Sequence, residues 1–293
     1  METVFIDRKK TQLKCNQERL YIGGSDDVKG EQSSASSIPL KHLKSVVISC
    51  DCALSSGLLR KFAQFNISLI CLNNRNINAS FMSINETHGN ISRRVNQYHL
   101  LSCPALRSRF SAIIIKRKLS GQRYVLKTLS NQRNALEGIS KLSQSKLLTL
   151  QIKLNQEDLT NNEIMGIEGY AAKTYFNVYK QVFNPNLHFD KRTKRPPKDP
   201  VNVILSLSYM LLYYEAQRAC YGQSLDPMLP ILHNTTYGRA SLACDLQEAL
   251  RPLVDLWVWQ LFNNRTFRLD HFSSSENGCI LNKAGRKNYC QAL

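Results

Sequence analysis

This sequence is short of acid. It holds 22 Asp and Glu against 39 Lys and Arg, a formal charge of +17. It also lacks every common nucleotide-binding loop: neither G-x-G-x-x-G nor G-x-x-x-x-G-K-[S/T] occurs, so a dinucleotide or NTP enzyme has no support. No CxxC pair exists among its nine cysteines, and the CxC of Cys50 and Cys52 has no second pair at zinc-ribbon spacing. The thiols read as small hydrophobes kept reduced. The start, METVFIDRKK, has charge where a signal peptide needs an apolar run. The most apolar stretch, Val201 to Tyr214, is too short to span a bilayer and contains Asn202, Ser206 and Ser208. No membrane segment and no export are expected, and the protein should sit in a reducing cytosol. No internal repeat is visible.

What remains is a 293-residue chain of average apolar content, 43%, long enough to bury a sizeable core. Its charge is uneven. Residues 1–85 carry a net +4, residues 86–198 a net +13, and residues 199–293 balance to zero. From His88 to Leu136 there are ten basic residues and no acidic one. A solvated helix face mixes both signs, so a block of one sign points to a polyanion, and Arg93, Arg94 and Arg123 are candidate phosphate contacts. A second cluster, Lys191 to Lys198, includes Arg195 and Lys198 around two prolines that forbid a helix there.

The hydrophobic pattern changes along the chain. Thr3–Ile6, Leu20–Ile22, Ser45–Ile48 and Ile67–Ile70 are β-branched or apolar runs that predict strands. Gly23 to Asp27 reads as a turn and Glu31 to Ser37 as a loop. Leu54–Phe65 has a helical period. Beyond about residue 90 long helical periods take over: Val95–Leu101, Pro104–Leu119, Arg123–Leu142, Ser145–Leu150, Asn161–Phe183, Pro200–Tyr221, Ser241–Phe262 and Lys283–Gln291. The expected fold is α+β. A small β-rich domain at residues 1–85 precedes a larger all-α domain at 86–293, joined near residues 83–92.

Phosphodiester chemistry usually needs a divalent cation held by carboxylates and sometimes His. With acids scarce, those set among apolar residues stand out. Glu168 is flanked by small residues in Met165-Gly166-Ile167-Glu168-Gly169. His233 follows two prolines and an apolar run. Asp245 and Glu248 are three apart and so share one helical face, where two like charges repel unless a cation intervenes. Pro252 removes the amide that would bond the Glu248 carbonyl, so the helix should bend or open there. Arg239 and Arg251 flank this pair.

Three blocks together resemble the CRISPR-associated endonuclease and spacer-integrase family of the adaptation machinery ("Cas-one"). They are Glu168-Gly169-Tyr170-Ala171-Ala172-Lys173-Thr174-Tyr175-Phe176; Arg195-Pro196-Pro197-Lys198-Asp199-Pro200-Val201-Asn202; and Leu225-Asp226-Pro227 through His233, Gly238 to Glu248, and Arg251-Pro252. Their order and spacing match, and Gly285-Arg286 is similar to a late Gly-Arg motif of the family. The resemblance implies a homodimer with a β-sandwich-like, dimerising N-terminal domain and a helical catalytic domain. It implies Mg²⁺ or Mn²⁺ held by Glu168, His233 and Glu248, with Asp245 close by. It further implies double-stranded DNA as substrate, joining of its 3′-hydroxyl ends into a CRISPR repeat array, and a small companion subunit ("Cas-two"). On this reading Arg239, Arg251 and Lys198 face the phosphate. The competing reading is a non-catalytic basic nucleic-acid-binding subunit, which gives Glu168, His233 and Glu248 no shared purpose.

Overall fold

A computed structural model describes residues 3–9, 11–24, 36–73, 80–83, 90–194, 196–275 and 278–293. The chain divides into two compact units, Met1–His88 and Gly89–Leu293. Residues 84–89, where the sequence places the junction, lie outside the described residues, as do 25–35 in the expected turn and loop.

The first unit has two sheets. Strands β1 (Thr3–Ile6), β5 (Ser45–Ile48) and β6 (Ser68–Cys71) pair in parallel, and β7 (Phe81–Ser83) joins β6 antiparallel. The central strand β5 is buried at every position, which is why it reads as an unbroken apolar run. The second sheet is an antiparallel meander of β2 (Thr11–Asn16), β3 (Arg19–Gly24) and β4 (Ser36–Pro39). Gln17 and Glu18 both lie at positive φ, 45° and 59°, as a tight two-residue hairpin with the strands' own twist requires.

Strands β2 and β4 depart from the sequence reading. In β2 only Thr11 and Leu13 are buried, so its composition is polar although its alternation is strand-like. In β4, Ser36 and Ser37 extend what reads as loop into a strand, because pairing with β3 satisfies their backbone. Helix α1 (Ser56–Gln64) starts at Ser55, whose hydroxyl accepts from the Leu58 amide, and buries Leu58 and Phe62. These two residues, Leu13 and Leu20 of the meander, and Val46 and Ile48 of the parallel sheet form one core.

The second unit is helical: α2 (Ile91–Ser102), α3 (Pro104–Gln132), α4 (Glu137–Lys153), α5 (Asn161–Tyr179), α6 (Pro200–Gly222), α7 (Ser241–Glu248), α8 (Arg251–Asn263) and α9 (Lys283–Ala292). It is not all-α, since β8 (Phe272–Ser275) and β9 (Gly278–Leu281) form a hairpin between α8 and α9. The expected break near Gly121 does not occur, and α3 runs unbroken for 29 residues. Gly121 serves packing instead: a Cβ there would stand 3.0 Å from Pro252 on α8. The expected helix Ser241–Phe262 is two helices, so Leu253 belongs to α8 and not to the helix carrying Asp245 and Glu248. The break falls directly after Glu248, where Pro252 withholds the amide.

The core of this unit centres on Ile115, Leu119, Leu126 and Leu129 of α3, Ile164, Ala171, Tyr175 and Val178 of α5, and Val201, Ile204 and Leu205 of α6. Among the described residues no helix is long and apolar enough to cross a membrane.

Candidate functional site

Four helices and one loop bring the charged residues of the second unit together. Helix α5 begins at a reciprocal cap, in which Thr160 Oγ1 accepts from the Glu163 amide and Glu163 Oε2 accepts from the Thr160 amide. That start sets the phase in which Ile164, Ile167 and Ala171 face the core and Glu168 projects at its margin, with its side chain 27% exposed. Gly166 and Gly169 lie on the exposed side of α5, and Glu168 itself keeps part of its side chain open to solvent.

Glu248, the last residue of α7, is buried. Its Oε1 pairs with Arg251 Nη1 at 2.5 Å and its Oε2 with Lys118 Nζ at 2.5 Å. The same Lys118 ammonium also donates to Glu168 Oε1, so one cation joins the two carboxylates. Burial pushes the Glu248 carboxyl up, but the charges of Arg251, Lys118 and His233 outweigh it and hold it below the usual carboxylate range.

Asp245 has no exposure at all. Its Oδ2 accepts from the amides of Ile231 (2.6 Å) and Leu232 (2.8 Å), and its Oδ1 from the His233 amide at 3.2 Å. Oδ1 also meets His233 Nδ1 at 2.5 Å. A carboxylate only accepts, so Nδ1 carries a proton, and in the neutral form of the ring the lone pair lies at Nε2. The loop is clamped from its other side too. Arg107 Nε and Nη2 donate to the carbonyls of Ile231 and His233, both at 2.7 Å. Ser111 Oγ and Asn161 Nδ2 donate to Ile231 O at 3.1 and 2.7 Å. His233 thus belongs to an irregular loop whose backbone is hydrogen-bonded from both sides.

Around this core lies a cationic margin. The Arg251 guanidinium stacks over the Tyr209 ring at 5.0 Å and Arg192 over the same ring at 5.4 Å. Arg192 is fixed by Thr193 O, Asn202 Oδ1 and Ser206 Oγ. The Tyr209 hydroxyl donates to Asp255 Oδ1, a fully enclosed carboxyl that burial pushes up to about 6. Partial burial, with Arg251, Arg192 and Lys118 nearby, lowers Lys194, while Glu248 pulls the other way. The basic loop therefore reaches the electrostatic field of the carboxylates.

Of the residues singled out from sequence, Glu168 and Glu248 are joined through Lys118, Glu248 to Arg251, and Asp245 to His233. Arg239 folds back on its own loop, donating to Asn234 O (3.2 Å) and Ser241 Oγ (3.3 Å). Lys198 is exposed, with its amide on Thr193 Oγ1. Arg93 binds Gln223 Oε1 at 2.8 Å, just past the end of α6, and Arg123 binds Gln151 Oε1 of α4 at 3.1 Å, so each ties its helix to a neighbouring element. Arg94 is half-buried on α2. Arg195 lies outside the described residues.

Sequence reasoning misses Lys118, Arg107, Asn161 and Lys194 as parts of the site. A signal for Lys118 exists: it sits on the buried stripe of α3 with Ser111, Ile115, Leu119 and Gln122, where a lysine is out of place. Among the described residues no three His, Cys, Asp or Glu side chains close on one point, and an ammonium stands between the two glutamates.

The family model for "CRISPR associated protein Cas1" matches residues 4–293. The chain is 35% identical over 296 residues to the CRISPR-associated endonuclease Cas1 1 of Thermodesulfovibrio yellowstonii, covering 99% of this chain and 89% of the relative. It is 30% identical to the CRISPR-associated endonuclease Cas1 2 of Rhodospirillum rubrum, over 96% of this chain and 81% of that one. In fold it is similar to a casposase bound to integration product, with TM-score 0.83, 21% identity and coverage of 100% of this chain and 81% of that chain. It is also similar to a CAS1 protein from Thermotoga maritima, with TM-score 0.79, 24% identity and coverage of 100% and 90%. Matched across nearly its whole length, the chain belongs to the Cas1 family of CRISPR-associated proteins.

Proposed function

We propose that this chain is a metal-dependent DNA endonuclease and integrase, which joins 3′-hydroxyl ends of short DNA duplexes into a CRISPR repeat array. One observation carries the reading: Glu168 and Glu248, 80 residues apart in sequence, converge on a single cation. The donor set fits a hard divalent ion, having two carboxylates and an imidazole whose Nδ1 is taken by Asp245, which leaves Nε2 as the nitrogen that would bind it. Glu168, Glu248 and His233 are the ligands, and Asp245 aims the ring as an outer partner. Mg²⁺ or Mn²⁺, when bound, supplies Lewis-acid polarisation of the scissile phosphate and of the attacking hydroxyl.

The chain's own residues do the rest. Arg251 balances the charge of Glu248 and fixes its rotamer. Arg192 and Lys194 form the cationic margin where the phosphate enters, and Lys198 and Arg239 must turn toward it to join them. The basic face of α2 and α3 holds the duplex by its backbone, a contact that carries little sequence information. Attack of a 3′-hydroxyl forms one phosphodiester and releases the old 3′ end, so bond number is conserved and no external energy source is needed. The relatives' description as endonucleases supports the activity. A neighbour bound to integration product supports the substrate. Another, a Cas6-RT-Cas1–Cas2 complex of which this chain covers 32%, supports a Cas2 companion. Assembly as a homodimer through the first unit, in a prokaryotic cytoplasm, completes the proposal. The test is joining of a labelled 3′-hydroxyl duplex into a repeat-bearing plasmid, with Mn²⁺ or EDTA and with or without Cas2. Joining that persists in EDTA contradicts the reading.

A further inference from the structure

The two glutamates are brought together by a residue that no sequence motif marks. Lys118 has a side chain only 6% exposed and donates to both Glu168 and Glu248. A lysine enclosed to that degree is costly unless paired. Here the pairing runs both ways, since without a cation two carboxylates would face each other, one of them Glu248 at 5% exposure. Arg251 takes only the Oε1 side of Glu248. The Oε2 side and Glu168 depend on Lys118.

Lysine suits an exchangeable role. Its ammonium is a point charge on a four-carbon stem with rotatable bonds, unlike the planar fork of arginine. Glu168, at 27% side-chain exposure against 6% for Lys118, is the side of the cluster that reaches solvent, so an ion arriving there meets a carboxylate already held by the lysine.

We propose that Lys118 is an internal competitor for the divalent ion. It holds Glu168 and Glu248 at ligand spacing in the metal-free protein and withdraws when the ion enters. The inference rests on the reading of Glu168 and Glu248 as ligands of one ion. With Lys118 seated, the charges of Glu168, Glu248, Lys118 and Arg251 cancel. With the ion bound and the ammonium displaced but still adjacent, the cluster becomes positive. The metal thus turns a neutral site into one that attracts phosphate.

The test uses the full chain at pH 8, comparing wild type with Lys118→Gln and Lys118→Arg. In EDTA the Gln variant should melt about 5 °C or more below wild type, the scale expected when a buried pair loses one partner. Mn²⁺ titrated by calorimetry should bind this variant on the order of tenfold more tightly, because removing one close cation relieves at least about 1.4 kcal/mol. Lys118→Arg should restore the EDTA melting point and bring Mn²⁺ affinity back to the wild-type value or below. A merely structural lysine would lower the melting point without tightening Mn²⁺. Lys118→Met, nearest in shape, carries the same expectation and stands in should Lys118→Gln not fold. If wild type binds Mn²⁺ and the neutral variants bind it no better, the proposal is overturned while the site reading survives. A wild type that binds no Mn²⁺ overturns both.

Discussion

Asp245 and Glu248 sit three residues apart on α7, both acidic and both buried, yet their surroundings differ in kind. Asp245 is wrapped by three backbone amides and the Nδ1 of His233, groups fixed by the fold. Glu248 is held by two side-chain cations, Lys118 and Arg251, which can move. Backbone partners make a carboxylate part of the scaffold. Side-chain partners leave it exchangeable, which a ligand must be. The comparison separates two roles that residue type and spacing leave equal.

The sharpest way to break this contrast is to remove each carboxylate in turn. Glu248→Ala should abolish DNA joining, a loss on the order of 10³-fold, while the folded state persists in circular dichroism. Asp245→Ala should do its damage to stability, by about 3–5 kcal/mol in denaturant unfolding, since it strands three buried amides and frees the His233 loop. If the two variants exchange these phenotypes, the assignment of scaffold and ligand is reversed.

A smaller effect comes from Asp255. Burial lifts its carboxyl to about 6, above the unfolded value of about 3.9. The folded state then binds that proton more tightly. The resulting penalty is absent below about pH 4, grows through the interval and is complete above about pH 6. Asp255→Asn, which still accepts from Tyr209, should raise stability by up to about 3 kcal/mol at pH 7.5 and by little at pH 4. An equal gain at both values contradicts the assigned cause.

The smallest effect concerns the duplex-holding face. Reversing Arg94 should reduce the slope of log affinity for DNA against log salt by about one unit, without changing sequence preference. Reversing Arg93 or Arg123 should do the same and also loosen the protein, because each already bonds a glutamine of a neighbouring element. A salt slope unaltered by any of the three removes this face from the DNA path.

The legible parts of the molecule are those where one local signal dominates. The strand β5 is an apolar run because it is buried on both faces, and the interruption after Glu248 follows from the missing amide of Pro252. The start of α5 at Asn161 is legible too, although the residue that caps it is Thr160. What sequence hides is pairing at a distance. Strand β4 looks like a serine loop because its order comes from β3, across the hairpin. Gly121 looks like a break because its partner, Pro252, is 131 residues away. Lys118 hides in a block of ten basic residues whose other members read equally well as phosphate contacts. Its neighbours Ile115 and Leu119 mark it as buried, but only the fold says that two glutamates wait there. Arg107 and Asn161 carry no signal at all, since they bind carbonyls of the His233 loop that any residue would supply.

The central claim is that Glu168 and Glu248 share one cation. It is tested most directly by Mn²⁺ electron paramagnetic resonance on wild type, Glu168→Gln and Glu248→Gln. One tight Mn²⁺ site in wild type, lost in each variant alone, is the predicted result. A site that survives either substitution at wild-type affinity would contradict it.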